Sequence, residues 1–153
     1  MKGDVVIRIV TIKDYGQVYQ LWTGTAGMGM RTLDDSEEGI KKFLERNPNT
    51  CFVAEVQGKP VGVILSGHDG RRAYIYHTAV KEKYRGQGIG KALLEAVEGA
   101  MKKEGINKIA LVAFKANEKG NRFWEKQGYC DRIDLVYRNK SINAATCKSA
   151  CPG

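Results

Sequence analysis

A glycine-rich segment between a strand-like stretch and a helical pattern constrains this chain more than any other feature. Gly86, Gly88 and Gly90 follow Arg85, and apolar residues from Ile89 onward repeat at helical spacing. Glycine lets the backbone bend tightly, so that its N–H groups can surround an anion. The N-terminus of the following helix adds free N–H groups and the positive end of its dipole. The segment therefore predicts a binding site for a pyrophosphate group.

Two widespread phosphate-binding loops do not fit this segment. A P-loop ending in Gly90-Lys91 requires a glycine at the position of Arg85 and a Ser or Thr at the position of Ala92. The dinucleotide fingerprint requires Gly-x-Gly-x-x-Gly, whereas the spacing here is Gly-x-Gly-x-Gly, and the next strand-like segment ends in Lys115 rather than in an acid. Neither a magnesium-nucleotide site nor a Rossmann domain follows.

The segment resembles the acetyl-CoA loop of the GNAT superfamily of N-acetyltransferases, where Arg or Gln is followed by two residues, Gly, one residue, and Gly or Ala. Arg85, Gly88 and Gly90 fit this pattern, and the strand Tyr74 to Val80 precedes it as in the superfamily. A second stretch is similar to the superfamily's second cofactor segment and comprises Asn117 and Phe123-Trp124-Glu125-Lys126-Gln127-Gly128-Tyr129.

Apolar periodicity and turn residues predict the element order β-α-α-β-β-β-α-β-α-β. The resemblance implies an α/β (α+β) GNAT fold. Its central sheet is mixed and mostly antiparallel, with about six strands flanked by about four helices, and it splays between strands four and five. The predicted strands are Val5 to Val10, Thr50 to Val56, Val61 to Ser66, Tyr74 to Val80, Ile109 to Phe114 and Ile133 to Tyr137.

The resemblance also implies where acetyl-CoA binds. Its pantetheine arm is expected between the splayed strands, on the backbone of the fourth strand, and its pyrophosphate on the N–H groups of the glycine segment. The cofactor-binding residues implied in this way are Thr78, Ala79, Val80, Arg85, Gly86, Gln87, Gly88, Ile89, Gly90, Lys91, Asn117 and Trp124. For Asn117 a helix cap is the alternative role, and for Trp124 it is a place in the core.

At the positions where members of the superfamily often carry proton-transfer residues, this sequence has different residue types. Many members use a Glu on the fourth strand as general base, but that strand contains no acid here. His77 is the candidate base, with packing as its alternative role, and Tyr76 is expected to face the site. Trp124 stands where a Tyr often protonates the CoA sulfur, and indole cannot act as that acid. The thiolate would then take its proton from solvent, from a different residue such as Tyr129, or from the amine itself.

Charge supports a phosphate-bearing ligand. Residues 81–153 carry 15 basic and 8 acidic side chains, which gives this part a net charge of +7 out of +8 for the chain. We expect no nucleic acid, because no basic strand interleaved with aromatic residues and no recognition helix is visible. The acceptor groove is expected to include the loop Thr23 to Arg31, the turn Gly67 to Arg72 and the final strand. Few acids lie nearby, namely Asp34, Asp35 and Asp69.

The sequence predicts one domain over residues 1–140 and a disordered tail over 141–153. The chain has four cysteines without Cys-x-x-Cys and two histidines, so no metal site is expected, and Cys51 is read as a core residue. No apolar run is long enough to span a membrane and no signal-peptide pattern opens the chain, which predicts a cytoplasmic protein.

We therefore expect an N-acetyltransferase that moves the acetyl group of acetyl-CoA to a primary amine by direct attack. The expected amine belongs either to a small molecule or to a protein N-terminus. Because both usual proton-transfer residues are missing, a catalytically weak CoA-binding sensor or interaction module is the alternative. The oligomeric state is left open, although homodimers are common in the resembling superfamily.

Overall fold

A mixed sheet of five strands organises the computed structural model, which describes residues 3–26, 28–30 and 33–143. The strands lie in chain order; β1 to β4 pair antiparallel, and β5 runs parallel to β4. The strands are β1 Val5–Ile9, β2 Phe52–Val56, β3 Lys59–His68, β4 Ala73–Val80 and β5 Ile109–Leu111. The helices are α1 Tyr15–Thr23, α2 Glu37–Arg46, α3 Ile89–Lys103 and α4 Glu118–Lys126.

The predicted final strand, Ile133 to Tyr137, is wrong. This stretch forms no strand, and the side chains of Ile133 and Val136 are 93% and 74% exposed. A strand needs a partner along its length, but β5 is only three residues long and pairs with β4 no further than Leu111. The fold class is otherwise as predicted, with five strands in place of about six.

Two apolar layers cover the two faces of the sheet. On one face, Trp22 of α1 and Leu44 of α2 pack with side chains such as Val63 of β3. On the other face, Leu93 of α3 packs on side chains such as Ile75 of β4. Alternate residues of a strand point to opposite faces, which is why the central strands are apolar on both sides.

The start and the end of α2 are fixed by side chains that the sequence marks for this purpose. Ser36 precedes the helix, and its Oγ accepts a hydrogen bond from the Gly39 N–H at 3.0 Å. Asn47 ends the helix, and its Oδ1 accepts a hydrogen bond from the backbone N–H of His68 at 2.9 Å. The hydrogen bond of Asn47 holds the end of α2 against the end of β3, beside β4.

Several other sequence predictions concern what the chain lacks or where it is located. Cys51 is fully buried, as expected of a core residue. Within the described ranges, no helix has the length and apolar character needed to cross a membrane, and no three His, Cys, Asp or Glu side chains cluster as metal ligands would. Residues 144–153, with Cys147 and Cys151, lie outside the described residues. The domain boundary and the cytoplasmic location stay predictions.

Candidate active site

Strands β4 and β5 separate part-way along the sheet. They pair over three residues of β4, Ala73–Ile75, and no further. From Tyr76 to Val80, the side of β4 that faces away from β3 therefore has no strand partner among the described residues. An unpaired strand edge offers a row of backbone donors and acceptors to a ligand.

The backbone groups that face this open edge belong to Thr78 and Val80. The Lys81 N–H donates to the Val61 carbonyl on β3 at 2.8 Å. Because successive residues of a strand direct their backbone groups to alternate sides, Ala79 also faces β3, whereas Thr78 and Val80 face the open edge. The Thr78 Oγ1 is buried, and no partner for it lies in the described part of the chain. The open edge thus presents Thr78 and Val80 rather than Ala79.

A β-bulge interrupts the ladder between β3 and β4. Three steps along β4, from Ile75 to Thr78, lie opposite two steps along β3, from Ile64 to Ser66. The extra residue falls at Tyr76 or His77. A bulge breaks the strict alternation of side chains, so two neighbouring residues can reach the same face. It also bends β4 where β5 has left it.

Tyr76 and His77 show this effect. The Tyr76 ring lies 5.4 Å from the Phe43 ring of α2, and the His77 ring lies 5.0 Å from the Trp22 ring of α1, both measured between centroids. Both neighbours belong to the α1 and α2 side of the sheet. The structure therefore brings two sequence-predicted catalytic candidates together on one face.

His77 is also paired with a carboxylate. Its Nε2 lies 2.8 Å from Oδ1 of Asp35, which precedes α2 by two residues. The side chains of His77 and Asp35 are only 16% and 8% exposed. The Tyr15 hydroxyl donates to the Asp35 carbonyl at 2.7 Å and so holds this loop residue on α1.

From the sequence, Asp35 is expected only as one of a few acids near the groove. The run Asp34-Asp35-Ser36 is typical of a helix start, and this local signal accounts for the residues without any distant contact. Asp35 lies 42 residues from His77 in the chain. A pairing at that separation has no short-range pattern that could reveal it.

Tyr76 belongs to a partly exposed aromatic surface. Its side chain is 53% exposed, and its ring lies 4.7 Å from that of Tyr74, between centroids. Burial raises the pKa of the Tyr76 phenol, and the neighbouring Tyr137 and Asp34 raise it further. Tyr76 therefore keeps its proton at neutral pH and can donate a hydrogen bond.

The loop between α1 and α2 reaches towards the separated strands. Met28 and Met30 pack against the core on the α1 and α2 side. A methyl group placed on Gly29 would lie 3.4 Å from the ring of Phe114, which follows β5. The loop thus extends from α1 to the far side of the open edge. Of the predicted loop Thr23 to Arg31, Gly27 and Arg31 lie outside the described residues.

The glycine segment forms a cradle of unused donors at the start of α3. Gly86 and Gly88 have φ angles of 75° and 82°, in the left-handed region that glycine favours, and Gly88 is the N-cap of α3. Across residues 86–91, no backbone N–H donates a hydrogen bond to any part of the chain that the structure describes. Space around Gly86 and Gly88 is open, since a Cβ there would meet no atom within 4 Å. This arrangement suits an anion.

Arg85 connects this cradle to the open edge. Its Nε donates to the Val80 carbonyl at 2.9 Å, which leaves other guanidinium donors for a ligand. The Gln87 side chain donates to the Lys83 carbonyl at 3.3 Å and braces the loop. Lys91 is exposed, and its Nζ lies 3.9 Å from Oε1 of Glu95. A surface ion pair at this separation contributes little to stability.

The second predicted cofactor segment, which includes α4, packs against α3, the helix that follows the glycine segment. Asn117 is the N-cap of α4, and its Oδ1 accepts from the Gly120 N–H at 3.1 Å, so its alternative role as a helix cap is present. The Trp124 ring is partly buried against the core layer of α3. It contacts the rings of Phe123 and Tyr129 edge-on, with centroids 5.0 Å and 5.4 Å away.

Tyr129 is directed to α3. Its hydroxyl donates to Oε2 of Glu98 at 2.9 Å. Burial raises the pKa of Tyr129, and the hydrogen bond and charge of Glu98 raise it further. The proton is therefore harder to release than that of an ordinary phenol, which weighs against Tyr129 as an acid.

The sequence model of the acetyltransferase (GNAT) family matches residues 16–129. This range includes the glycine cradle, the open edge of β4, and α4. The chain belongs to the GNAT acetyltransferase family. It is an acetyl-CoA-dependent acetyltransferase, as the sequence resemblance implied.

Two bacterial acetyltransferases are among the similar proteins. One, from Pectobacterium atrosepticum, is 32% identical over 136 residues, which cover 89% of this chain and 94% of the relative. Another, from Sodalis glossinidius, is 34% identical over 123 residues, which cover 80% and 85% of the two chains. This GNAT chain therefore spans nearly the whole length of both relatives.

Solved structures agree with the observed GNAT fold. Ard1 from Thermoplasma volcanium superposes with a TM-score of 0.73 at 25% identity and covers 81% of each chain. The PaiA N-acetyltransferase from Thermoplasma acidophilum, solved with coenzyme A, gives a TM-score of 0.70 at 23% identity and covers 81% of this chain and 88% of its own. At 23% identity, the similarity to PaiA supports the fold alone.

Proposed function

We propose that this GNAT enzyme transfers the acetyl group of acetyl-CoA to a primary amine by direct attack of the amine nitrogen. The unused N–H groups of residues 86–91 beside the open edge of β4 carry this proposal. They form one continuous surface of donors, because Arg85 joins the loop to the carbonyl of Val80.

The residues present fit acetyl-CoA. The N–H groups of the cradle and the N-terminus of α3 would hold its pyrophosphate, while Lys91 and the free guanidinium donors of Arg85 would balance its charge. The backbone groups of Thr78 and Val80 at the open edge would hold the pantetheine amides. The buried Thr78 Oγ1, without a partner among the described residues, would gain one there.

Bound acetyl-CoA supplies the thioester, and the chain supplies positioning and charge stabilisation. Negative charge develops on the thioester oxygen as the amine attacks. An N–H on the open edge of β4 would donate to that oxygen, and the loss of one such donor typically costs about 3 kcal/mol of the activation free energy. The bulge places this edge beside His77.

We propose His77 as the general base. An amine is mostly protonated near neutral pH and must lose a proton before it attacks. The imidazole of His77 lies at the bulge, on the same face as Tyr76. For Tyr76 we propose hydrogen-bond donation, since its raised pKa keeps it protonated. Trp124 cannot act as an acid, so the thiolate would take its proton from solvent or from the proton that the amine released.

The acceptor is proposed as an amine with an apolar part, either a small molecule or a protein N-terminus. The aromatic surface of Phe43, Tyr74 and Tyr76 beside His77 supports this choice, because rings that are at least partly exposed contribute contact area to an apolar group. A polyamine or an aminoglycoside has little apolar surface and would make less use of these rings.

The test is release of free CoA thiol with a panel of amines, amino acids and peptides with free N-termini, for the wild type and His77→Gln. We expect release with acceptors that carry an apolar group next to the amine. His77→Gln should lower kcat by roughly 10²-fold or more, with an unchanged KM for acetyl-CoA. A variant with full activity would exclude His77 as the base. Binding of acetyl-CoA without release for any acceptor would favour the sensor alternative.

We also propose that the protein forms a homodimer. Large apolar side chains are exposed in two stretches that follow β5, namely Val112 and Phe114 in the first, and Ile133, Leu135, Val136 and Tyr137 in the second. Exposed apolar residues that form a large patch mark a surface for contact with another protein. Light scattering of the purified protein should give twice the monomer mass of 17.0 kDa, and a single-chain mass would contradict the proposal.

A further inference from the structure

The contact between Asp35 and His77 carries an inference about how the base works. We propose that Asp35 is a positioning residue, which keeps the neutral His77 ring protonated on Nε2 so that Nδ1 receives the proton of the acceptor. This inference rests on the proposed role of His77 as the base. Asp35 would act through the ring of His77 and not directly on the acceptor or the thioester.

The geometry assigns the two nitrogens different tasks. A carboxylate only accepts hydrogen bonds, so at 2.8 Å from Oδ1 of Asp35 the Nε2 atom must be the donor. A neutral imidazole carries one proton, which leaves the lone pair on Nδ1. No hydrogen bond to Nδ1 comes from residues 3–26, 28–30 or 33–143. Nδ1 is therefore the nitrogen that can take a proton from the acceptor amine.

Asp35 is held firmly enough to impose this tautomer. The Tyr15 hydroxyl binds its carbonyl at 2.7 Å, and the next residue, Ser36, caps α2. Its side chain is 8% exposed, so little water competes for its oxygens. A charge-assisted hydrogen bond in such surroundings is stronger than one at the surface.

The surroundings of His77 contain few other groups that titrate. Trp22 packs on the ring from α1 and does not titrate. Tyr15 of α1 acts through the backbone of Asp35, and Tyr76 is the neighbour on β4. Asp34 of the loop and Tyr137 of the C-terminal stretch influence Tyr76. Asp35 is the carboxylate in direct contact with the imidazole.

A proton moves from the acceptor ammonium to Nδ1, and the imidazolium is stabilised by the carboxylate of Asp35. The amine nitrogen then bonds to the thioester carbon, the carbon–sulfur bond breaks, and its electron pair stays on sulfur. The attacking nitrogen loses its second proton to solvent, and the proton on Nδ1 is available to the thiolate.

Nuclear magnetic resonance of ¹⁵N-histidine-labelled protein tests the tautomer directly, because the chain has only two histidines. His68 is an internal reference: its Nδ1 accepts from the Gly70 N–H at 2.9 Å and its Nε2 lies 3.2 Å from Glu104. At a pH where His77 is neutral, we expect its proton on Nε2, in slow exchange with water. Asp35→Asn and Asp35→Ala should lose this protected signal, while the His68 signals stay unchanged.

Asp34→Asn is the matched control for the spectrum, because it removes the same charge one residue away and should keep the His77 signal. In the thiol-release assay, Asp35→Asn should lower kcat at least tenfold with an unchanged KM for acetyl-CoA. A His77 proton on Nδ1 in the wild type would overturn the inference, and so would Asp35 variants that turn over at the wild-type rate. A correct tautomer with no thiol release for any acceptor would instead refute the proposed function, and with it the catalytic use of Asp35.

Discussion

Gly90 lies against the ring of Phe123. A methyl group placed on Gly90 would come within 3.3 Å of Cε1 of that ring, which is closer than an ordinary contact. Gly90 is in the first turn of α3 and Phe123 is in α4. The last glycine of the cradle thus allows the two helices to approach each other, beside the N–H group that it offers to a ligand.

Gly90→Ala should therefore gain no stability, although alanine is favoured over glycine in helices by roughly 1 kcal/mol. Gly99 in the same helix is the matched control, because a methyl group there meets no atom within 4 Å. We expect Gly99→Ala to raise the free energy of unfolding by about 0.5–1 kcal/mol in urea denaturation. Repeating Gly90→Ala in a Phe123→Leu background separates the ring contact from the position in the helix. Equal gains at both glycines in the wild-type background would contradict the contact.

Asp14 ties β1 to the start of α1, and its loss should destabilise the protein. Its carboxylate accepts from the two terminal nitrogens of Arg8 at 2.9 Å and 2.7 Å, and from the Thr11 N–H at 2.8 Å. Asp14→Asn should lower the free energy of unfolding by about 2 kcal/mol at pH 7, since hydrogen bonds to charged groups are lost. Asp134→Asn is the control, because its exposed pair with Arg132 contributes at most ~1 kcal/mol.

The effect of Asp14 should depend on pH. Arg8 lowers the pKa of Asp14 below its ordinary value, so the folded state favours the ionised form. This stability is fully present above the unfolded-state pKa of about 4 and is lost as the pH falls through the folded-state pKa. The difference between wild type and Asp14→Asn should thus shrink below about pH 4. A difference that grows in acid would contradict the assigned ion pair.

The two described cysteines should differ sharply in reactivity. Cys51 is fully buried, and burial raises the pKa of its thiol to about 12, whereas Cys130 is exposed. Because the thiolate is the reactive form, a thiol reagent at pH 8 should modify Cys130 in the folded protein and Cys51 only after unfolding. Mass spectrometry of proteolytic peptides distinguishes the two sites. Rapid modification of Cys51 in the folded state would show that this core layer opens.

Local patterns predicted most of the fold, because the features concerned lie within a few residues of one another. The apolar run around Val53 and the helical spacing from Ile89 each define an element from its own residues. The prediction of a final strand was wrong because a strand also depends on residues that are distant in the chain. The apolar stretch Ile133 to Tyr137 has the composition of a strand, but only a partner edge can make it one, and β5 ends too early to provide that edge.

The candidate site was predicted where it depends on local chemistry and missed where it depends on register. The glycine cradle follows from residues that are adjacent in the chain. The pairing of His77 with Asp35 depends on the bulge in β4 and on a loop 42 residues away. Strict alternation would place Tyr76 and His77 on opposite faces. One extra residue in the ladder brings both side chains to the same face, and no sequence pattern predicts that extra residue.

Calorimetric titration with acetyl-CoA tests the central claim most directly. Gly88→Glu places a side chain and a negative charge at the centre of the cradle, and should abolish binding while the fold persists. Gly105→Glu is the matched control, since Gly105 has a similar φ of 76° and open surroundings. It lies beyond the other end of α3, a 15-residue helix about 22 Å long. We predict binding by the wild type and Gly105→Glu and none by Gly88→Glu. Wild-type affinity in Gly88→Glu, or no binding by the wild type, would contradict the assignment of the cradle to acetyl-CoA.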